Sequence, residues 1–461
     1  MMAGVSYDLV IRGGRIVTTH DSYIADVGVR GERIAAIGDH LSGAREIDAE
    51  GLYVLPGAID GHVHMRTNRA TDVYDDTFET GTIAAAFGGV TTMIDQAQVE
   101  AGTSLGDGVD SRLEEAAGSS LIDYSLHVNL REASHDRVAE IPAIAARGFP
   151  SFKFFMNYET YALPDDIIFA AMQQVAACDG LAIVHAEHRQ MIEELERQNR
   201  AAGRVGPAWH MSARPAELEG EATHRALALA KVAGARALIF HMTASDALRE
   251  LRAARDRGQE VYGEVCTQYV LLGDEAIADP LSGTALRFSP PLRTPEHRDA
   301  LWSALDDGTI DVISTDHGPR RRARDAKGNL YTPPGTSGIE VRLPLFHTFG
   351  VLGERMSLNR WVDACCTRPA FVFGLPTKGR IQVGYDADLV LFDPNRELEL
   401  SHEVLHSDID YSTYDGMTVR GLPVTTISRG DVLIEDRTLV AEPGRGKLAP
   451  RGYPAADCSL P

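Results

Sequence analysis

His62 and His64, in the stretch LPGAIDGHVH, stand one residue apart after an apolar run. In a β-strand residues i and i+2 face the same side, so at a strand end the two imidazoles can share one cation. An isolated pair of this kind is more often exposed or satisfied within a core, and here four further residues decide its reading. Lys153 sits in GFPSFKFFMNY among Phe152, Phe154, Phe155 and Met156, surroundings that penalise a bare ammonium. Two accounts of such a lysine stay open: a head that reaches water or a carboxylate, or reaction with CO2 to a carbamate, an anion able to bridge two metal ions. His185 ends the apolar run of GLAIVHAEH, His241 follows ARALIF, and Asp316 follows GTIDVIST. Five strand-like runs thus deliver metal-compatible or proton-transferring side chains. Their repetition argues for one shared site over separately satisfied core residues.

The elements that must carry these groups follow from the hydrophobic pattern. From Pro56 to Leu375, strand-like apolar runs alternate with amphipathic stretches such as DIIFAAMQQVAACDG, ATHRALALAKVAGA and DALRELRAARDRG. Repeated β-then-α units predict a parallel sheet, and chemistry at successive strand ends is what an α/β fold of the (β/α)8 TIM-barrel type supplies. The barrel is expected over residues 56–375. Residues 1–55 read as short alternating strands broken by glycine (YDLVIRGGRIV, ADVGVRGERIAAIG), and residues 376–440 return to strands (ADLVLFDP, VTTISRGDVLIED). Residues 441–461, rich in Pro and Gly, read as an extended tail.

Composition narrows the class. A chain of 461 residues buries a large core, and 66 acidic against 45 basic residues, a formal charge of −21, argues against nonspecific nucleic-acid binding and against an anionic membrane surface. No stretch reaches the roughly 18 apolar residues of a membrane span, and no basic flank with an apolar core opens the chain, so a cytoplasmic location is expected. Five cysteines (Cys178, Cys266, Cys365, Cys366, Cys458) without CxxC spacing indicate neither a disulfide framework nor a thiolate zinc site; Cys178 and Cys266 are expected to be buried.

The order HxH, Lys, His, His, Asp resembles the amidohydrolase superfamily. The words DDTFETGTIAAAFGGVTT, ARPAELEGEATHRALALA, FSPPLRTPEHRDALW, SGIEVRLPL, GRIQVGYDADLVLFDP and AEPGRGKL narrow the resemblance to the cyclic amidases called dihydropyrimidinases or hydantoinases. It runs almost end to end and is less specific for substrate than for family, since allantoinases and dihydroorotases share the ligands. The resemblance implies that the two flanking pieces join into one discontinuous β-sandwich. It further implies two divalent cations, zinc first with manganese or cobalt able to substitute. His62, His64 and Asp316 would hold the more buried ion, His185 and His241 the more exposed one, and carboxylated Lys153 would bridge them. A hydroxide held between them would attack the ring amide, Asp316 would shuttle its proton to the leaving nitrogen, and Tyr158 would donate to the oxyanion. Ser289 matches a serine whose backbone holds the cyclic amide edge. A homotetramer, or a dimer, is implied too, with a tail that in relatives often packs on a neighbouring subunit.

Departures from that pattern bear on substrate. Pro334 stands where relatives carry an asparagine; its carbonyl can still accept, but it has no N–H to donate. Arg66, in the polar loop MRTNRATDVYDD, matches an arginine that binds the substrate carboxylate in dihydroorotases; the other account is a solvated or salt-bridged arginine facing Asp72, Asp75 or Asp76. Gly318, where many relatives have cysteine, is expected to enlarge the space behind Asp316. His317 is expected to point away from the metals, and Arg320, Arg321, Arg322 and Arg324 to form a solvated loop. The leading expectation is a hydantoin or dihydropyrimidine ring-opening enzyme. The alternatives are an allantoinase- or dihydroorotase-like or imide hydrolase for a polar or acidic ring and, from another class, a noncatalytic scaffold.

Overall fold

The apolar runs become strands with every residue buried or nearly so, as a parallel sheet covered on both faces requires. The computed structural model describes residues 6–66, 76–204, 206–278, 286–324, 330–331 and 335–453. Five strands come first: β1 (Ser6–Val17), β2 (Ser22–Arg30), β3 (Arg33–Gly38), β4 (Ser42–Asp48) and β5 (Tyr53–Pro56). Eight parallel strands follow: β6 (Ala58–Val63), β7 (Val90–Gln98), β8 (Asp123–Asn129), β9 (Ser151–Phe155), β10 (Leu181–His185), β11 (Arg236–Ile239), β12 (Val261–Cys266) and β13 (Val312–Ser314). They lie side by side in sequence order. Helices such as Phe78–Phe87, Leu105–Ala116, Asp165–Ala177, Ala216–Ala233, Ser245–Asp256 and Pro295–Asp306 connect them. A bridge between Val63 and His317, with the His64 N–H donating to the His317 carbonyl at 2.6 Å, brings the last strand back to the first. This is the expected (β/α)8 barrel.

A short hairpin, β14 (Ala323–Arg324) and β15 (Leu330–Tyr331), precedes the closing strands β16 (Leu389–Glu399), β17 (Thr418–Ser428), β18 (Asp431–Glu435) and β19 (Thr438–Leu439). Strands from both chain ends form one nine-stranded mixed sheet. Its seam is β5, parallel to β1 at Arg15–Tyr53 and antiparallel to β16 from Pro56–Leu389 to Tyr53–Phe392. Because β5 leads through Gly57 into β6, the sheet is anchored to the first barrel strand. A Cβ at Gly57 would lie 2.1 Å from the Thr91 hydroxyl, so only glycine permits the approach.

The closing segment, through residue 453, lies on this chain's own barrel. Tyr124 N donates to Lys447 O at 3.0 Å, Ala449 N to Tyr124 O at 2.8 Å, and buried Arg451 to the Leu126 and Phe373 carbonyls. Among the described residues, no helix is long and apolar enough to cross a membrane. Cys266, Cys365 and Cys366 are buried free thiols, whereas Cys178 is only partly buried, against expectation, because it caps the C-terminus of helix Asp165–Ala177. Cys458 lies outside the described residues.

Candidate metal centre and substrate cavity

All eight barrel strands end at the same mouth, and their terminal side chains converge there. His62 is the fifth residue of β6 and His64 follows the strand; their Nε2 atoms lie 3.3 Å apart. Asp316, two residues past β13, places Oδ1 at 3.1 Å from His62 Nε2 and 2.9 Å from His64 Nε2. Lys153, in the middle of β9, brings Nζ to 3.1 Å from the same His62 nitrogen. His185 ends β10 and His241 follows β11; their rings are 4.5 Å apart, and His241 lies 5.5 Å from His62. The six predicted ligands are thus gathered at one site.

Several buried acids hold this geometry. Asp60 in β6 accepts from the Thr315 hydroxyl at 2.7 Å and ties the Asp316 turn to the histidine strand. Asp95 in β7 accepts from Met65 N at 2.9 Å and from Arg112 Nε at 2.5 Å, clamping the residues after His64. Glu264, fully buried in β12, stands 3.2 Å from His62 Nδ1 through both oxygens and accepts from His241 N at 2.7 Å. Glu187 lies 2.6 Å from His185 Nε2 and accepts from Asn157 at 2.9 Å. Glu264 and Glu187 each fix an imidazole tautomer and leave the other ring nitrogen for the cavity. Sequence reasoning passed over these braces, although a glutamate inside the apolar run VYGEVC is a signal that could have found Glu264.

Backbone strain coincides with the site. Tyr158 (φ 74°), His241 (φ 38°) and Asp316 (φ 54°) occupy the left-handed region, which costs non-glycine residues about 1–3 kcal/mol. The surrounding bonds hold them there.

Electrostatics favours cation ligation. Burial, reinforced by the neighbouring Lys153 charge, holds His62 well below the usual imidazole range, and burial does the same for His241. Both are therefore neutral, the ligating form, and the buried Nδ1 of His241 has no partner among the described residues. Burial would raise the Asp316 carboxyl, but the hydrogen bond and charge of His64 outweigh it, so it lies below its ordinary value. Burial between Phe155 and Phe240 drives Lys153 toward its neutral amine. The lone pairs of two imidazoles and a carboxylate thus converge within 4.8 Å, an arrangement that a cation satisfies. His62, Glu264 and Cys266 converge equally closely, but burial raises the Cys266 thiol and keeps it protonated, so this second group is a brace.

A cavity of about 630 Å3 opens over the cluster. Tyr158 and Ser289 line it: the Tyr158 ring lies 5.0 Å from that of His185, and Ser289 Oγ is 3.3 Å from His210 Nε2. Burial raises the Tyr158 hydroxyl well above its ordinary value, so it remains a donor. Arg66, at φ 43°, is exposed and is not among the described residues lining the cavity. Pro334 lies outside the described residues. His317 turns to Asp76, 3.1 Å from its Nε2, and away from the cluster as expected.

Gly318 lines the cavity beside Asp316, and a Cβ there would meet the His64 Cβ at 2.9 Å. One expectation needs correction. Arg321 pairs with Asp408 and Arg322 lies over Tyr411, but Arg320 lines the cavity. Following the Asp316 turn carries it inward, where charge periodicity alone reads only solvent.

A parallel barrel with imidazoles, an amine and a carboxylate gathered at its strand ends defines a metal-dependent barrel hydrolase. The chain belongs to the amidohydrolase family, whose model matches residues 53–433, and within it to the dihydropyrimidinase and D-hydantoinase group. It is 40% identical over 456 residues to a D-hydantoinase of Streptomyces coelicolor, covering 96% of this chain and 97% of that one. A solved D-hydantoinase from Bacillus sp. AR9 superposes with a TM-score of 0.94 at 38% identity, covering 97% of this chain and 100% of the other. A dihydropyrimidinase from Brevibacillus agri NCHU1002 gives 0.91 at 36% identity, covering 96% and 98%.

Proposed function

We propose that this chain is a binuclear metal-dependent cyclic amidase that opens a hydantoin or dihydropyrimidine ring. The observation that carries the reading is the convergence of His62, His64, Lys153, His185, His241 and Asp316 at one barrel mouth in a chain whose relatives are hydantoinases. In this reading His62, His64 and Asp316 hold one cation, His185 and His241 the other, and Lys153 bridges them as its carbamate. The neutral amine that burial favours is the form that reacts with CO2, which supports that role for Lys153. Imidazole and carboxylate donors suit zinc, with manganese or cobalt as substitutes. Bound there, the cations supply an activated water nucleophile and polarise the scissile carbonyl.

The chain's own groups carry the remaining steps. Asp316, ionised by the influence of His64, accepts the proton released on attack and returns it to the departing ring nitrogen. Tyr158, which burial keeps protonated, donates to the oxyanion from beside His185. Ser289 aligns the cyclic amide edge through its backbone. A noncatalytic scaffold has less support, because every predicted metal position and Tyr158 is filled by a chemically competent side chain. The accompanying assembly is a homotetramer, or a dimer, located in the cytoplasm; light scattering tests the assembly.

Zinc- and bicarbonate-supplemented protein would be assayed for ring opening of hydantoin, dihydrouracil, allantoin, dihydroorotate and succinimide, with its metal content measured in parallel. Turnover of a ring amide with two metal ions per chain is the expected result. A protein that holds its metals and opens none of these rings would overturn the reading.

A further inference from the structure

The cavity wall carries a charge that hydrolysis of a plain ring does not use. Arg131, Arg214, Arg287 and Arg320 all line it, whereas Glu196 and Asp316 are the only lining carboxylates among the described residues. Arg214 is matched by Glu196 at 2.9 Å and approaches Glu187 at 3.6 Å, and Asp316 belongs to the histidine cluster. Arg131 is different. It follows β8, where Leu130 N donates to Lys153 O at 3.0 Å, so its backbone is fixed beside the lysine strand. Its guanidinium lies 4.4 Å above the Tyr161 ring, which stands 5.1 Å from the Tyr158 ring. Among the described residues no carboxylate is within ion-pair distance of it. A half-buried guanidinium stacked on an aromatic face, with its planar fork of donors unmatched, is built to take up a carboxylate. Arg131, Tyr161 and Arg320 all line the cavity; burial raises the Tyr161 hydroxyl, and the charges of Arg131 and Arg320 act against that rise. A five- or six-membered ring seated at the histidine cluster fills only part of the 630 Å3, whose lining also includes Tyr158, Tyr161 and Arg131.

We propose that Arg131, in the positive field of Arg320, binds an anionic group on the exocyclic arm of the substrate, so that the preferred substrate is a cyclic ureide or imide with an acidic side arm. This inference rests on the cyclic-amidase reading and adds the substrate class to it.

The test compares kcat/KM of metal-loaded full-length enzyme for a hydantoin bearing a carboxyethyl arm and for its uncharged carbamoylethyl counterpart. Wild type, Arg131→Gln and Arg131→Lys are measured side by side. A charge-assisted pair in a partly enclosed cavity predicts about a 10- to 100-fold preference for the acid, carried mainly in KM. Arg131→Gln should remove that preference and leave the neutral substrate within about twofold, which also shows that the variant folds; Arg131→Lys should keep part of it. Equal kcat/KM for the two arms in wild type, or a preference that survives Arg131→Gln, overturns the inference and leaves the amidase reading standing. An equal loss on both substrates reduces Arg131 to a structural role and overturns it too. Metal-loaded enzyme that opens neither ring, nor any plain ring, overturns both readings together.

Discussion

Replacing Glu264 by Gln tests whether the buried braces act through the imidazoles they touch. The carboxyl group faces His62 Nδ1 at 3.2 Å and accepts from His241 N at 2.7 Å and, at 3.9 Å, from Cys266 Sγ. An amide has one acceptor oxygen. If that oxygen keeps the His241 bond, the amide N–H turns toward His62 Nδ1, which must then accept, and the ring proton moves to Nε2. That nitrogen is the one facing His64 and Asp316, so the tautomer change removes a lone pair from the metal cluster. Loss of such an outer partner costs about 10- to 100-fold in metal affinity, or about 1.4–2.7 kcal/mol. The apo variant should stay folded, since burial pushes the Glu264 carboxyl up to about 8 and a neutral amide of nearly the same shape replaces it. Competition with a chelating indicator measures the dissociation constant directly, and activity against free metal concentration should shift by the same factor with little change at saturation. An unchanged dissociation constant in a folded variant would refute the reasoning and make Glu264 a passive core group.

Three further outcomes are expected. Lys153→Ala should lose the metal pair, with occupancy partly restored by short-chain carboxylic acids; undiminished metal content would exclude a bridging role. Tyr158→Phe should lower kcat about 10²- to 10³-fold with metal content and KM nearly unchanged, as removal of one oxyanion donor does. Asp76→Asn should expose a pH-dependent contribution to stability. Burial acts to raise the Asp76 carboxyl, but His317, Ser407 and the Asp408 N–H outweigh it and hold it below its ordinary value. A depressed carboxyl adds stability above the unfolded value and loses it as pH falls through the folded one. Denaturant melts should therefore show a deficit of about 1–3 kcal/mol for the variant at pH 7, shrinking once pH drops below about 4. A gap that stays constant with pH would refute the assignment.

The barrel and the residues gathered at its mouth were legible because strand periodicity is local. A run of apolar residues ending in His185 or Asp316 declares both the strand and the end that faces the site, and the same holds for His62 and His64. The mixed sheet joining both chain ends was implied by resemblance, because the pairing of β5 with β16 is a contact across more than three hundred residues that no local pattern encodes. Gly318 was legible only in part for a related reason: the sequence shows a missing side chain, but only packing shows that His64 lies against it and that it borders the cavity.

The sequence by itself therefore determined which residue types could ligate, transfer protons and build strands, since those properties belong to each side chain and its immediate neighbours. Tertiary structure alone decided which buried acid orients which histidine, that Arg66 faces outward, and that Arg131 and Arg320 face the cavity. Local period specifies the face of an element, whereas the direction of a loop side chain is set by closure of the barrel around it and by partners distant in the chain.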